Sequence, residues 1–129
     1  MQQAIAHAAI LVNDYDEAIN FYTQKLHFDL LEDTKLSDTK RWVLVAPNGS
    51  IGFSLLLSKA NNAEQQTRVG NQTGGRVFLL LQTDNLYRDY EIMCANKIEF
   101  VTEPTQQPHG TVAIFKDLYG NLWDFIQRS

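Results

Sequence analysis

The sequence predicts an α+β fold made of two β-α-β-β-β halves, and two observations lead to this prediction. First, the chain repeats itself: a shift of 71 positions places Gly49 on Gly120 and residues 10–14 on residues 81–85. Second, each half shows the same order of a short apolar run, a segment with helical spacing and three more apolar runs. We therefore expect halves at about 1–58 and 75–129, joined by a polar linker over 59–74.

Composition restricts the classes of function. A chain of 129 residues with 44% hydrophobic residues can form one unit of ordinary domain size. The net charge of −4 is spread along the chain without a basic stripe, so no nucleic-acid partner is expected. The apolar runs are too short for a membrane helix, and the N-terminus lacks the pattern of a secretory signal. Because Cys94 is the single cysteine, no internal disulfide is expected, which favours the cytoplasm.

In the first half, Asp14 is the predicted helix N-cap, with Glu17 three residues later as in a capping box. Tyr15, Ala18 and Tyr22 then recur at helical spacing. The predicted strands of this half are 4–12, 28–31, 41–46 and 51–57.

The second half repeats this order. Asp84 is its predicted helix N-cap, and Pro104 and Pro108 predict a loop over 104–110. Gly120 is predicted to need a positive φ in the turn before the last strand. The predicted strands are 76–82, 98–101, 111–116 and 122–127.

Two long segments carry a family resemblance: NDYDEAINFYTQKL, which follows an early strand with one histidine, and GTVAIFKDLYGNLWDFIQ, which contains a D-x-x-G-N turn. Together with the repeated halves, they resemble the vicinal oxygen chelate superfamily of glyoxalases, bleomycin resistance proteins and extradiol dioxygenases. The resemblance covers the whole chain. It implies a glyoxalase-like fold in which the two halves form an open cup.

The resemblance also implies where metal ligands would lie, on the first and last strands of the halves. His7 corresponds to the first-strand histidine, and Asp124 stands where a glutamate is usual. The 71-residue shift places Phe78 at the second histidine position and Phe53 opposite Asp124, or Ser54 if the alignment slips by one. A full four-ligand set is therefore absent, and one divalent metal ion (zinc, nickel, manganese or iron) would need another ligand.

Three interpretations of His7 and Asp124 remain open at this stage. Both side chains can be structural, since a lone histidine on an apolar strand is often a satisfied core residue. They can belong to a metal site completed by a substrate, by water or by His109, because zinc sites usually have at least three protein ligands. Without a metal, they can pair across the cup, with His7 acting as an acid or base near neutral pH.

Aromatic residues on the strands suggest an apolar pocket. Phe53, Phe78 and Trp42 are candidates to line the cup, and Arg41 is a candidate to bind a ligand carboxylate through two hydrogen bonds. The sequence therefore predicts a small-molecule-binding member of the superfamily with a partial metal site.

Two alternatives are a metal-dependent lyase, isomerase or dioxygenase that uses His7 and Asp124, and an antibiotic-sequestering resistance protein without catalysis. The resemblance also implies a homodimer.

Overall fold

The computed structural model of the protein describes residues 1–129, which divide into two compact units, Met1–Val69 and Gly70–Ser129. The first unit contains β1 (His7–Val12), α1 (Tyr15–Asn20), β2 (Phe28–Lys35), β3 (Arg41–Pro47), β4 (Ser54–Lys59) and α2 (Ala63–Arg68). The second contains β5 (Val77–Gln82), α3 (Leu86–Ala95), β6 (Phe100–Gln107), β7 (Gly110–Lys116) and β8 (Leu122–Arg128). No helix is long and apolar enough to span a membrane.

Each unit builds one four-stranded sheet, and the two sheets have the same topology. The strand orders are β1-β4-β3-β2 and β5-β8-β7-β6. In each sheet the first and last strands of the unit pair in parallel, and the other pairs are antiparallel. The α+β fold of two repeated halves is therefore confirmed.

The first sheet buries one face under α1. Strand side chains alternate between the two faces of a sheet, so one face carries Ile10, Val43, Val45, Leu55 and Leu57, all of which are buried. Asp14 is the N-cap of α1, as predicted, because its carboxylate accepts a hydrogen bond from the Glu17 N–H at 2.8 Å. Helix α1 continues into a π-helical turn over Phe21–Lys25. The opposite face of this sheet is left for other contacts.

Several predicted element boundaries were wrong. The N-cap of α3 is Asn85, whose side chain accepts from the Arg88 N–H, whereas Asp84 pairs with the Arg88 guanidinium at 2.7 Å. The predicted loop 104–110 is mostly strand, because β6 lies at a sheet edge with irregular pairing, where a proline is tolerated. Strand β4 begins at Ser54 rather than at residue 51, since Gly49 and Gly52 adopt positive φ before it. The predicted polar linker 59–74 also contains α2.

The turn between β7 and β8 is organised by the buried carboxylate of Asp117. It accepts hydrogen bonds from the backbone N–H groups of Tyr119, Gly120 and Asn121, and from the Asn121 side-chain amide. Gly120 has a φ of 108°, which confirms the predicted positive φ. This turn fixes where β8, and with it Asp124, enters the second sheet.

Candidate functional site

His7 has a hydrogen-bonding partner within its own unit. Strands β1 and β4 are parallel, and their register places His7 beside Ser54. The His7 Nδ1 atom lies 2.7 Å from the Ser54 Oγ atom, and Ser54 is buried while His7 is exposed. The Trp42 ring stands edge-on to the imidazole, with ring centroids 6.1 Å apart. The structure thus adds Ser54, an alternative considered only for a slipped alignment, to the surroundings of His7.

Asp124 lies on β8 between Leu80 of β5 and Ile114 of β7. It faces away from the buried Trp123 and Phe125, and it is half-buried. No group of the second unit donates a hydrogen bond or forms an ion pair with its carboxylate. That Asp124 binds a metal ion or a ligand stays a prediction.

The position that corresponds to Asp124 in the first sheet is Leu56, which corrects the prediction of Phe53. The shift of 71 residues matches Ile10 to Leu81, and these residues pair with Leu57 and Phe125. The residue before each of these partners is Leu56 in one sheet and Asp124 in the other. The alignment failed because the connections of the first unit are longer, with five residues between β2 and β3 and six between β3 and β4, against two and five in the second unit.

Phe53 and Phe78 differ in their surroundings. Phe53 precedes β4 and is 38% exposed. Phe78 lies at an irregularity in the pairing of β5 with β8, and its ring packs edge-on against Trp123 with centroids 6.1 Å apart. That either residue contacts a ligand stays a prediction.

His109 lies in the two-residue turn between β6 and β7 and is exposed. Gly110 pairs with Arg128, whereas Asp124 pairs with Ile114. Four residues of strand separate these two pairs, which is roughly 13 Å along the sheet. Within the second unit, His109 and Asp124 are therefore too far apart to share one metal ion.

Arg41 forms the two-pronged interaction that was predicted for it, but with a carboxylate of its own unit. Its Nε and Nη2 atoms donate to Asp33 at 3.0 and 2.6 Å, and its Nη1 atom donates to Asp16 at 2.9 Å. The guanidinium also lies 5.2 Å from the centroid of the Tyr15 ring. The hydrogen bonds from Arg41 hold the pKa of the Asp33 carboxyl below its usual range, and those carboxylates raise the pKa of Arg41. That Arg41 also binds a ligand carboxylate stays a prediction.

The first unit contains a cleft of about 680 Å³, here called the first-sheet cleft. Ala9, Leu11, Trp42, Leu56 and Ser58 form its floor on the sheet face opposite α1, and Tyr15 of α1 and Leu57 also line it at the end of the sheet. Its rim includes Ser37, Lys40, Lys59, Asn61 and Gln65. Its volume and its mixture of apolar floor and polar rim are typical of small-molecule sites.

The donor atoms within the units do not make a complete metal site. No group of three or more His, Cys, Asp or Glu side chains is placed to hold a metal ion. In the first unit, His7 has a serine hydroxyl beside it, and Leu56 occupies the position that corresponds to the carboxylate. One imidazole and one hydroxyl are fewer ligands than a zinc site requires.

Comparison with known proteins identifies the superfamily of the chain. The model of the "Glyoxalase/Bleomycin resistance protein/Dioxygenase superfamily" matches residues 4–125. The chain belongs to this superfamily. It is 58% identical over 128 residues to an uncharacterized protein of Shewanella frigidimarina (strain NCIMB 400), covering 98% of this chain and 95% of that one.

Two solved structures are similar over nearly the full length of this superfamily member. The crystal structure of UcmS2 has a TM-score of 0.86 and 28% identity, and covers 98% of both chains. That of TnmS3, an antibiotic binding protein from Streptomyces sp. CB03234, has a TM-score of 0.81 and 28% identity, and covers 99% of this chain and 98% of that one.

Sequence reasoning missed Lys40, Lys59 and Leu56 as parts of a site. One signal was present, because Ser54 and Ser58 stand four residues apart in FSLLLSK and therefore share a face with Leu56. Two serines on an otherwise apolar strand mark the face that is not the core. No comparable pattern indicates Lys40, which comes to the cleft through the connection between β2 and β3.

Proposed function

We propose that this superfamily member binds a small organic molecule in the first-sheet cleft, with Trp42 as its main aromatic contact. The observation that carries the proposal is the cleft itself, whose floor is apolar and whose volume is about 680 Å³. Its similarity to TnmS3, which is described as an antibiotic binding protein, supports a binding function. The proposal requires no metal ion.

The test is to screen small aromatic compounds by native mass spectrometry and to titrate each hit by calorimetry. Trp42→Ala should weaken binding by at least about tenfold, since a fully used aromatic contact is worth more than 1 kcal/mol. The matched control is Leu31→Ala, which truncates an apolar side chain that is exposed on the edge strand β2. If hits bind equally well to the wild type and to Trp42→Ala, the cleft is not the site.

A second candidate function is sequestration of an antibiotic without catalysis, and the similarity to TnmS3 favours it. Expression of the protein in a sensitive bacterium should raise the minimum inhibitory concentration of a bound antibiotic. Trp42→Ala at the same expression level should not. An antibiotic recovered chemically altered after incubation with the protein would point to an enzyme instead.

A metal-dependent lyase, isomerase or dioxygenase is an alternative, in which His7 and Asp124 would each supply one donor and a third ligand would complete the set. Elemental analysis of protein purified without chelators would test this alternative. Stoichiometric zinc, nickel, manganese or iron in the wild type would favour it, provided that the metal is lost in both His7→Phe and Asp124→Leu.

We further propose that the protein is a homodimer, as the family resemblance implies. Apolar side chains such as Leu80, which is 66% exposed, lie on the sheet face that carries Asp124 and would be covered by a partner. Light scattering should give about twice the chain mass of 14.7 kDa. A mass of one chain in concentrated protein solution would contradict the proposal.

A further inference from the structure

The charge on the first-sheet cleft is opposite in sign to that of the whole chain. The chain has 15 acidic and 11 basic residues. The cleft is nevertheless lined by three basic residues, Lys40, Arg41 and Lys59, and by no Asp or Glu. A patch chosen at random from these charged residues would contain more acidic than basic ones. The cationic lining therefore indicates the kind of ligand that the cleft accepts.

Two of these three charges are uncompensated. Arg41 is neutralised by Asp33 and Asp16, with N–O distances of 2.6 and 2.9 Å. Lys40 and Lys59 form no ion pair. They flank the ends of neighbouring strands, since Lys40 immediately precedes β3 and Lys59 is the last residue of β4. The cleft is therefore lined by two lysines that have no carboxylate partner.

Acidic residues close to the cleft are already engaged. An adjoining cleft of about 460 Å³ shares Lys40 and Lys59 and is also lined by Asp14, Asp33 and Asp38. Asp14 caps α1, Asp33 binds Arg41, and Asp38 lies 3.5 Å from the Lys35 ammonium. None of these carboxylates pairs with Lys40 or Lys59, so the cationic groups remain available to a ligand.

The floor of the cleft indicates the chemistry of the part of the ligand that does not carry the charge. The indole of Trp42 is half-buried there beside Leu11 and Leu56, and Tyr15 also lines the cleft. A flat apolar body gains most from such a surface, because aromatic rings combine large contact area with favourable ring geometry. The cleft therefore combines an aromatic floor with a cationic rim.

We propose that the natural ligand is an organic anion with an aromatic body, and that Lys40 and Lys59 bind its acidic group. This inference rests on the proposed binding function and narrows it to one chemical class. The body would stack on Trp42, and the carboxylate or ionised phenol would face the two ammonium groups. Charge-assisted hydrogen bonds of this kind are stronger than neutral ones, and more so where water is partly excluded.

The test uses three probes that share one aromatic body: 2-naphthoate, 2-naphthylmethanol and 2-naphthylmethylammonium. Binding is followed by NMR through the indole N–H signals of Trp42 and Trp123, at about 0.15 M salt so that distant charges are screened. The naphthoate should bind about tenfold more tightly than the ammonium compound, because only the anion can accept charge-assisted hydrogen bonds from the two lysines. The Trp42 signal should shift, whereas that of Trp123, which is 3% exposed in the second unit, should not.

Variants assign the preference to particular residues. Lys40→Met and Lys59→Met should each lower the affinity for naphthoate several-fold and leave that for naphthylmethanol unchanged. Lys97→Met is the matched control, since it removes the same charge from an exposed position in the second unit that does not line the cleft. A preference for naphthoate that persists in both cleft variants would overturn the role of the lysines.

The outcomes separate this inference from the function on which it rests. Equal affinities for all three probes, each lost in Trp42→Ala, would leave the binding function standing and overturn the anionic class. A preference for the ammonium probe would do the same. If no probe shifts the Trp42 signal, both proposals fail.

Discussion

The carboxylate of Asp117 accepts a hydrogen bond from the indole Nε1 of Trp123, 3.3 Å away, across the turn that joins β7 to β8. Asp117 is 6% exposed and Trp123 is 3% exposed. The same carboxylate accepts from Asn121, whose side-chain oxygen in turn accepts from the Gln72 N–H. The D-x-x-G-N run carries part of the family resemblance. Its role in this structure is to fix the turn from which β8 begins.

Replacing Asp117 by alanine should destabilise the protein strongly. The change removes the acceptor for several buried donors, and an unsatisfied buried donor costs about 1–3 kcal/mol. Urea denaturation of Asp117→Ala should show a loss at the upper end of this range or beyond. Asp38→Ala is the control, because the Asp38 side chain is 99% exposed and the change removes only its ion pair with Lys35, 3.5 Å away. Equal stability of the two variants would show that the turn does not depend on Asp117.

Two glycines with similar backbones should respond differently to alanine. Gly70 and Gly74 have φ values of 78° and 72°. A Cβ atom on Gly70 would lie 1.8 Å from the Tyr119 carbonyl oxygen, whereas one on Gly74 would meet nothing within 4 Å. Both changes incur the cost of a left-handed conformation, about 1–2 kcal/mol. Gly70→Ala should lose about 1–3 kcal/mol more in unfolding free energy, because the clash with rigid backbone must be relieved. A loss no larger than that of Gly74→Ala would show that residues 70–74 move freely away from the turn.

The repeat in the sequence predicted the topology because it is a property of the whole chain. A shift that matched Gly49 to Gly120 matched two residues with positive φ, and the same shift matched Asp14 to Asn85, which are the N-caps of α1 and α3. The choice of Asp84 was a local judgement that overlooked this correspondence. Asp84 and Asn85 have similar capping propensities, so only the alignment distinguishes them.

The candidate site was harder to predict, because it depends on register between distant strands. His7 and Ser54 are 47 residues apart, and no local signal says which residue of β4 lies beside His7. Shifting a strand by an odd number of residues exchanges its two faces. The 71-residue alignment matched Asp124 with Phe53, three residues before Leu56, which the strand register assigns to that position. Arg41 shows a different limit: its bidentate geometry is typical of arginine, but its partner Asp33 is identified only by the pairing of β2 with β3.

The pairing of Arg41 with Asp33 should make stability depend on acid pH. Because hydrogen bonds from Arg41 lower the folded-state pKa of Asp33, the pair stabilises the protein above the unfolded pKa of about 3.9. This contribution is lost as the pH falls through the lowered pKa. Arg41→Met should cost about 1 kcal/mol near neutral pH, a value kept small by partial exposure to solvent.

Denaturation of wild type and Arg41→Met across acid pH measures this effect. Their difference in unfolding free energy should stay constant down to about pH 5 and shrink below about pH 4. Arg88→Met is the control, because Arg88 also has two carboxylate partners, Asp84 and Asp89, but lies on the more exposed surface of α3. A difference for Arg41→Met that is unchanged near pH 3 would show that Asp33 is not the group responsible.

The partner of His7 can be decided by two double-mutant cycles that share the variant His7→Phe. In the first cycle, His7→Phe should cost about 1 kcal/mol because it leaves the buried Ser54 hydroxyl unpaired, whereas Ser54→Ala should cost less, since the exposed imidazole of His7 can bond to water. The double variant should cost less than the sum, with a coupling energy of about 1 kcal/mol, since Ser54 is 5% exposed and lies 2.7 Å from His7.

In the second cycle, His7→Phe is combined with Asp124→Leu. Because Asp124 has no partner within its own unit, Asp124→Leu should be neutral or stabilising and should add to the effect of His7→Phe. Coupling of about 1 kcal/mol or more in the second cycle and none in the first would instead support the pairing of His7 with Asp124 that the sequence suggested.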